Sequence, residues 1–278
     1  MNHDTYDLHT HSTASDGTLT PAELVARAAA AGVTVLALTD HDTTAGIAEA
    51  TAAALEHGIR LIAGVEISAT WGERTVHIVG LGVAVDAPEL ATGLAELRTF
   101  RAWRAEEIGR RLAKHGIDDA YEGARGFSNG SLIGRTHFAR LLVQRGLAAD
   151  TNEVFKRFLT HGKPGHVAGQ WASLEAAVSW IRAAGGQAVI AHPGRYRLTH
   201  TRLLRFIREF HNAGGAALEV VTSTHSRDDI LNFARLAREQ QLLASVGSDF
   251  HGPEHAWLQL GRLPPLPTSC VPVWRDWS

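Results

Sequence analysis

Apolar residues come in short continuous runs separated by amphipathic stretches of ten or more residues. This alternation is expected of parallel strands buried on both faces and joined by helices. Tyr6 to His9 reads as an opening strand. Thr20-Pro21-Ala22-Glu23 is a capping box with proline at the first helical position, and Gly32 closes the alanine-rich helix behind it. Val33 to Thr39 predicts a second strand and Ala45 to His57 a helix ended by Gly58. Ile59 to Ser68 predicts a third strand with Glu66 at its far end, and Thr75 to Val83 a fourth, reached through a short connection at Gly72.

From about residue 86 the rhythm changes. Pro88 to His115 carries Leu94, Leu97, Phe100, Ile108 and Leu112 near helical spacing, with Gly116 behind it. Turns follow at Gly123, Gly126, Gly130 and Gly134, then a helix over Arg135 to Arg145 and another over Thr151 to Leu159, with no strand pattern between Val85 and Pro164. The alternation then resumes. Helices are predicted over Ser173 to Ala184, Thr199 to Ala213 and Arg227 to Gln240, and strands over Gln187 to Ala191, Ala217 to Thr222 and Leu243 to Ser248. The tail from Pro264 has four prolines and reads as extended chain packed over the surface. The expectation is an α/β framework of residues 1–98 and 167–278, with 99–166 as a helical insertion. A length of 278 residues permits two domains or one α/β barrel with an insertion.

Composition adds mainly exclusions. Apolar content of 45%, charged content of 20% and a net charge of -2 give no field that would hold long nucleic acid or an anionic membrane. The amino terminus lacks a charged segment followed by an apolar run, and no window approaches the roughly 18 apolar residues of a spanning helix. The cytoplasm is therefore the expected location. Cys270, the single cysteine, has no disulfide partner in the chain, which agrees with a reducing compartment. With 16 histidines and one cysteine, any bound metal is held by nitrogen and oxygen.

The candidate chemistry begins at Asp7-Leu8-His9-Thr10-His11. On a strand, His9 and His11 point to one side and can close on one ion. Ser12, Ser15, Asp16 and Gly17 form a turn that brings a carboxylate back over the strand end. Asp40 and His41, Glu66, His192, and Asp249 with His251 likewise fall at carboxyl ends of predicted strands, where parallel α/β sheets and barrels assemble their sites. One histidine after a strand is ordinarily structural. Several strands ending in His, Asp or Glu read as a ligand set, suited to Mn²⁺, Zn²⁺, Fe²⁺ or Mg²⁺ in a multinuclear hydrolytic centre.

Asp7-Leu8-His9-Thr10-His11-Ser12, Thr39-Asp40-His41-Asp42, Gly64-Val65-Glu66, His77-Ile78-Val79-Gly80, Ala191-His192-Pro193 and Gly247-Ser248-Asp249-Phe250-His251 together resemble the successive motifs of the polymerase and histidinol phosphatase (PHP) superfamily of phosphoesterases. The resemblance implies a distorted seven-stranded β/α (TIM-like) barrel with a small helical insertion domain. It also implies two or three divalent ions per chain, Mn²⁺ foremost, with Mg²⁺ or another divalent ion as substitute. It assigns His9, His11, Glu66 and Asp249 to one ion, Glu66, His77 and His192 to a second, and Asp16, His41 and His251 to a third, with Glu66, Asp249 and His192 as the catalytic core. Other branches have histidine where Asp16 stands, and the carboxylate makes that site harder.

Ile133-Gly134-Arg135-Thr136-His137, His161-Gly162-Lys163-Pro164 and His192-Pro193-Gly194-Arg195-Tyr196 are similar to the branch that includes bacterial 3',5'-nucleotide bisphosphate phosphatases and 5'-to-3' exoribonucleases acting on short RNA. That pattern usually has proline where Thr136 stands. The resemblance implies a small nucleotide or short RNA as substrate, removal of the 3'-phosphate from a nucleoside 3',5'-bisphosphate, and substrate contacts from Arg135, His137, Lys163 and Arg195. Arginine and lysine on a lid can supply bidentate and point-charge phosphate contacts. Alternatively, Arg135 and Lys163 are a helix start and a loop charge facing solvent. Exoribonuclease and histidinol phosphatase activities use the same centre, whereas a non-catalytic PHP module should have lost ligands, and every expected position is filled.

Overall fold

A computed structural model describes residues 4–128, 132–254 and 259–277; the turn expected at Gly130 lies outside them. In chain order the elements are β1 (Tyr6–Asp7), α1 (Pro21–Ala30), β2 (Val35–Leu38), α2 (Ile47–His57), β3 (Arg60–Trp71), β4 (Arg74–Leu81) and α3 (Pro88–Ala113). Then come α4 (Ala120–Arg125), α5 (Arg135–Gln144), α6 (Thr151–Val154), a π turn (Phe155–Leu159), β5 (Ala172–Ser173) and α7 (Leu174–Ala183). The chain continues with β6 (Gln187–Ile190), a 3₁₀ turn (Pro193–Tyr196), α8 (His200–Asn212), β7 (Ala217–Thr222), α9 (Arg227–Glu239) and β8 (Leu243–Gly247).

The sheet runs β1-β2-β3-β4-β6-β7-β8, with β5 attached to β3 off this path. Leu8 N–H donates to Val246 O at 3.0 Å, Asp249 N–H to His9 O at 2.8 Å and His11 N–H to Phe250 O at 2.9 Å, so the first and last strands meet. The result is a distorted seven-stranded β/α barrel. Its distortion is β4, which runs antiparallel to both neighbours. Trp71 pairs with Arg74 around Gly72, whose φ of 59° glycine tolerates without a Cβ penalty.

Period-2 alternation sorts the barrel strands. Val35 and Ala37, Val79 and Leu81, Val189 and Ala217 share one interior cluster with Leu8, while Val65, Ile67, Ile78, Leu218 and Val220 face the helices. Glu66 pairs with Val79, His77 shares the parity of Val79, and Glu219 shares that of Ala217, so all three belong to the inner face. The strands β2 and β7 are buried throughout, as their unbroken apolar runs require.

Several expectations change, among them the turn at Gly123, which lies inside the helix α4. Glu66 is not at the end of its strand, because β3 continues to Trp71 to make the hairpin. The short strand β5 carries no periodic signal and went unpredicted. The tail does more than cover a surface: Val273 enters the interior cluster, Ala244 exchanges hydrogen bonds with Val271 and Val273, and Trp274 stacks on Tyr6 at 4.1 Å. The end of the barrel opposite the histidines is thereby plugged.

The helix α3 joins two cores. Leu90, Leu94 and Leu97 pack with the barrel, whereas Ala105, Ile108 and Leu112 pack with Phe138, Leu142, Val154 and Val167. The expected boundary at residue 98 therefore falls inside one continuous helix.

Barrel closure makes a checkable demand at Gly247, where an added Cβ would lie 2.3 Å from His9 Cβ and 2.9 Å from His9 N. Gly247→Ala should cost about 1–3 kcal/mol through overpacking against backbone. The expected outcome is a lower thermal midpoint than wild type; an unchanged melt would show that β1 and β8 are not held this closely.

Candidate metal centre

One end of the barrel carries a buried cluster of imidazoles and carboxylates. His9 Nε2 lies 3.1 Å from His11 Nε2, 3.4 Å from Glu66 Oε2 and 3.5 Å from Asp249 Oδ1. His11 Nε2 is 3.3 Å from Glu66 Oε2 and 3.2 Å from Asp249 Oδ1. Ligand atoms about 2.1 Å from a shared ion stand about 3.0–3.4 Å apart in octahedral or tetrahedral coordination, so these four atoms have ion-coordinating separations. The other Glu66 oxygen, Oε1, is 2.9 Å from both His77 Nδ1 and His192 Nε2. Asp16 Oδ1 lies 3.4 Å from His251 Nε2 and 3.9 Å from His41 Nε2. The nine residues expected to share two or three ions thus converge around Glu66, with ligand atoms of His11, Asp16, His41 and His251 within 4.8 Å of one another.

The donor set fits cations. Glu66 Oε2 and Asp16 Oδ1 are buried and accept no hydrogen bond; His41 Nδ1 stands 2.9 Å from Glu66 Oε2 without making one. A buried carboxylate oxygen without a donor is costly unless positive charge faces it. Burial alone would raise Glu66, yet His41, His77 and His9 hold its carboxyl well below the usual range. Burial is likewise outweighed at Asp249 by Arg195 and His9, and at Asp16 by His251 and His41. Among the histidines, burial pushes His11 down to about 3 and His77 to about 4. At His251 burial is overcome by Asp16 and Asp249, which lift it to about 9. Attraction to the surrounding imidazoles is what offsets burial of these carboxylates, and bound divalent ions would take over that role while displacing protons.

Backbone strain and buried polar contacts hold the ligands. Asp249 has φ 57° and His192 φ 28°, left-handed values that cost a non-glycine residue energy and cluster at functional sites. Asp40, pushed up to about 6 by burial against the pull of Ser12 and Ser15, accepts from Ser12 N, Ser12 Oγ and Ser15 Oγ at 2.5–2.8 Å and shapes the turn carrying Asp16. Arg195 Nη1 sits 2.5 Å from Asp249 Oδ2. Asp42 accepts from Ser68 N and from Arg101 Nε, tying α3 to the floor of the site.

Two residues mark what sequence reasoning missed. Glu219, buried in mid-β7 beside a bulge, has Oε1 2.6 Å from His9 Nδ1 while Oε2 accepts from His192 N at 2.5 Å. It turns the His9 Nε2 atom toward the cluster, the usual carboxylate support of a histidine ligand. Its only signal was a lone acid inside the apolar run Ala217-Leu218-Glu219-Val220-Val221. Thr136 is the second: its hydroxyl donates to Asp16 Oδ2 at 2.8 Å, which leaves Asp16 Oδ1 for the histidines.

A cavity of about 580 Å³ opens over the cluster, lined by Glu66, His77, His192, Asp249 and His251 on the barrel side and by Thr136, Thr151, Asn152 and Phe155 on the insertion side, with Arg195 and Arg197 between. Among the substrate residues expected from sequence, Arg195 lines this space. Arg135 lies behind it, its guanidinium 5.4 Å from the Phe155 ring centre. His137 is buried with Nδ1 accepting from Gly134 N at 2.9 Å, which ties down the start of α5. Lys163 is exposed in the loop after the π turn.

The PHP domain family matches residues 7–223, well over half of the chain and spanning the first seven of the nine ligand positions. The chain belongs to the PHP family. A 3',5'-nucleoside bisphosphate phosphatase of Chromobacterium violaceum is 51% identical over 271 residues, covering 97% of this chain and 95% of that protein. A 5'-3' exoribonuclease of Haemophilus influenzae is 48% identical over 269 residues, covering 97% of each. The structure of an amidohydrolase from Chromobacterium violaceum with bound sulfate and no metal superposes with a TM-score of 0.94 at 50% identity, over 98% of this chain and 95% of its own. No helix among the described residues is long and apolar enough to cross a membrane. This PHP chain is a metal-dependent phosphoesterase by family.

Support from Glu219 can be measured without turnover. Glu219→Gln keeps shape and removes charge, and loss of such a supporting carboxylate typically weakens metal affinity about 10–100-fold. Titration of the metal-free variant with Mn²⁺ should show that loss with a near-normal circular dichroism spectrum; wild-type affinity would remove Glu219 from the metal-holding apparatus.

Proposed function

We propose that the protein hydrolyses the 3'-phosphate of nucleoside 3',5'-bisphosphates, such as adenosine 3',5'-bisphosphate, to the 5'-monophosphate and phosphate. The observation that carries this reading is full-length similarity, at 51% identity, to a 3',5'-nucleoside bisphosphate phosphatase, in a chain whose nine ligand-type residues all converge. His9, His11, Glu66 and Asp249 would hold one ion, Glu66, His77 and His192 a second, and Asp16, His41 and His251 a third. Thiolate-free ligation by imidazole and carboxylate suits Mn²⁺, with Mg²⁺ as substitute. When bound, such ions supply the Lewis acidity that makes water a nucleophile near neutral pH and offset charge on phosphoryl oxygens.

The remaining work falls to side chains. Arg195 holds Asp249 in place and presents its free edge to the cavity, where it would bind an oxygen of the reacting phosphate. Arg135 has no hydrogen-bond or ion-pair partner among the described residues, and with Lys163 it would address the second phosphate, while His137 fixes the helix start that carries Arg135. Binding energy from that remote phosphate can be used to position the reacting one. In this reading residues 99–166 act as the substrate lid of a barrel made by 1–98 and 167–278. The cytoplasmic location expected of the enzyme agrees with the free Cys270. A second reading, 5'-to-3' exoribonuclease on short RNA, is favoured by the 48% identical relative, and the same lid would then address the 5'-terminal phosphate.

Two results would test this. Purified Mn²⁺-loaded protein should release phosphate from the 3' position of the bisphosphate, and far more slowly from a nucleoside 3'-monophosphate. Loss of one charge-assisted contact costs about 1.5–3 kcal/mol, or roughly one to two orders of magnitude. Arg135→Ala should lower kcat/KM by that factor for the bisphosphate only, with metal content unchanged. Equal rates on the two substrates, or release of the 5'-phosphate, would refute the assignment. Glu66→Ala and Asp249→Ala should each abolish turnover and lower bound metal; full activity of either after chelation would remove the ions from the reaction.

A further inference from the structure

Among the described residues that line the cavity over the cluster, all but Phe155 are polar or ionisable. That ring is half-buried and belongs to the wall opposite the imidazoles. It opens the π turn Phe155–Leu159, closed by Thr160 N–H donating to Phe155 O at 3.0 Å. In the same segment Val154 and Leu159 are fully buried in the insertion core, and Phe155 and Phe158 pack against it. Wide turns of this kind interrupt helical spacing and recur at functional sites; here the interruption goes with an aromatic face left in the cavity. Behind the ring stands the Arg135 guanidinium, and Arg135 does not line the cavity. A cation against one face of an aromatic ring is attracted by its quadrupole and holds the ring in place.

An apolar face left in a polar cavity loses stabilisation that a flat ligand would restore by covering it. Two phosphates would not do so, being anionic and fully hydrated. The cavity, at about 580 Å³, is within the range of small-molecule sites of roughly 300–1,000 Å³, larger than phosphate groups alone require. We propose that Phe155 is the platform on which the nucleotide base stacks. This rests on the nucleotide reading above and adds the base to its two phosphates. Stacking on a phenyl ring reads no hydrogen-bond pattern, so the site accepts all four bases and favours the larger purines. The amide of Asn152, which lines the same wall, has no hydrogen-bond partner among the described residues and is placed to meet a base edge.

The test is direct binding to the Mn²⁺-loaded full-length protein, measured by calorimetry with adenosine 5'-monophosphate and with ribose 5-phosphate, which lacks the base. Phe155→Leu keeps an apolar side chain against the insertion core, and Phe155→Trp enlarges the platform. Wild type should bind the nucleotide about tenfold or more tighter than the sugar phosphate, the scale of one base stacked on an aromatic ring. Phe155→Leu should erase most of that difference by weakening the nucleotide alone, and Phe155→Trp should keep it. If Phe155→Leu weakens both ligands equally, or neither, the ring only fills the lid and the proposal falls. If both variants bind neither ligand while wild type shows no base preference, it falls as well. Wild-type discrimination that depends on Phe155, in a protein that leaves the bisphosphate intact, would uphold the platform and overturn the phosphatase reading.

Discussion

Everything in this molecule is arranged around the cost of burying the Glu66 carboxylate at the open end of a barrel. The residue is fully buried, stands in mid-strand, and faces imidazoles of four histidines within 3.3 Å. Its neighbours Asp16 and Asp249 are buried too. A single desolvated carboxylate is expensive, and three sharing one site repel one another, so net positive charge must be supplied by protons or by ions. Protein cations alone are few here: Arg195 reaches Asp249, while Arg101 is committed to Asp42. The centre is therefore built for charge that the chain does not carry. That need also explains the tolerated strain, since the left-handed backbone at Asp249 and His192 brings side chains inward from positions just past the strand ends.

The barrel provides what loops could not. His9 and His11 come from one strand end, Asp249 and His251 from the adjacent one, and the pair is locked by hydrogen bonds between His9 and Asp249 and between His11 and Phe250. The antiparallel β4 adds a ligand from the inner face instead of a strand end, because the β3–β4 hairpin carries both Glu66 and His77 past the mouth. This explains why sequence reading misplaced Glu66 along its strand. Strand-end motifs are visible because a polar residue interrupts an apolar run. An inward polar residue in mid-strand looks like ordinary alternation.

The same reasoning separates what was legible from what was not. HxH, the Asp-His pair after the second strand, and the Asp-Phe-His run each break a strongly apolar pattern, and all their histidines reach the cluster. Glu219 sits within such a run as well, but a lone acid in a strand has no partner spacing to announce it; only the bulge beside it and its contacts to His9 and His192 give it meaning. The insertion was read as helical on periodicity, and α3 and α5 formed where expected, whereas α4 stands where a turn at Gly123 was expected. Its cavity wall was opaque, because Thr151, Asn152 and Phe155 form no pattern among themselves and are grouped only by the fold.

The division of labour between the two cores follows from α3. Its first half packs on the barrel and its second half on the insertion, and Arg101, between them, bonds Asp42 and Ser68 beside the cluster. Thr136 and Arg140 of α5 reach Asp16, through its side chain and its backbone carbonyl respectively. The insertion is thus fixed to the site through Arg101 and through α5, and a shift of it would move a ligand-type carboxylate. Under the proposed function, chemistry on the barrel and recognition on the insertion would in this way be mechanically joined. A phosphomonoesterase and an exonuclease acting on a 5'-phosphorylated end ask the same of such a frame: hold one phosphate on the lid and present a second to the cluster. Close relatives bearing either activity are then expected, since the two reactions differ in what is attached to the reacting phosphate, a group that would point out of the cavity.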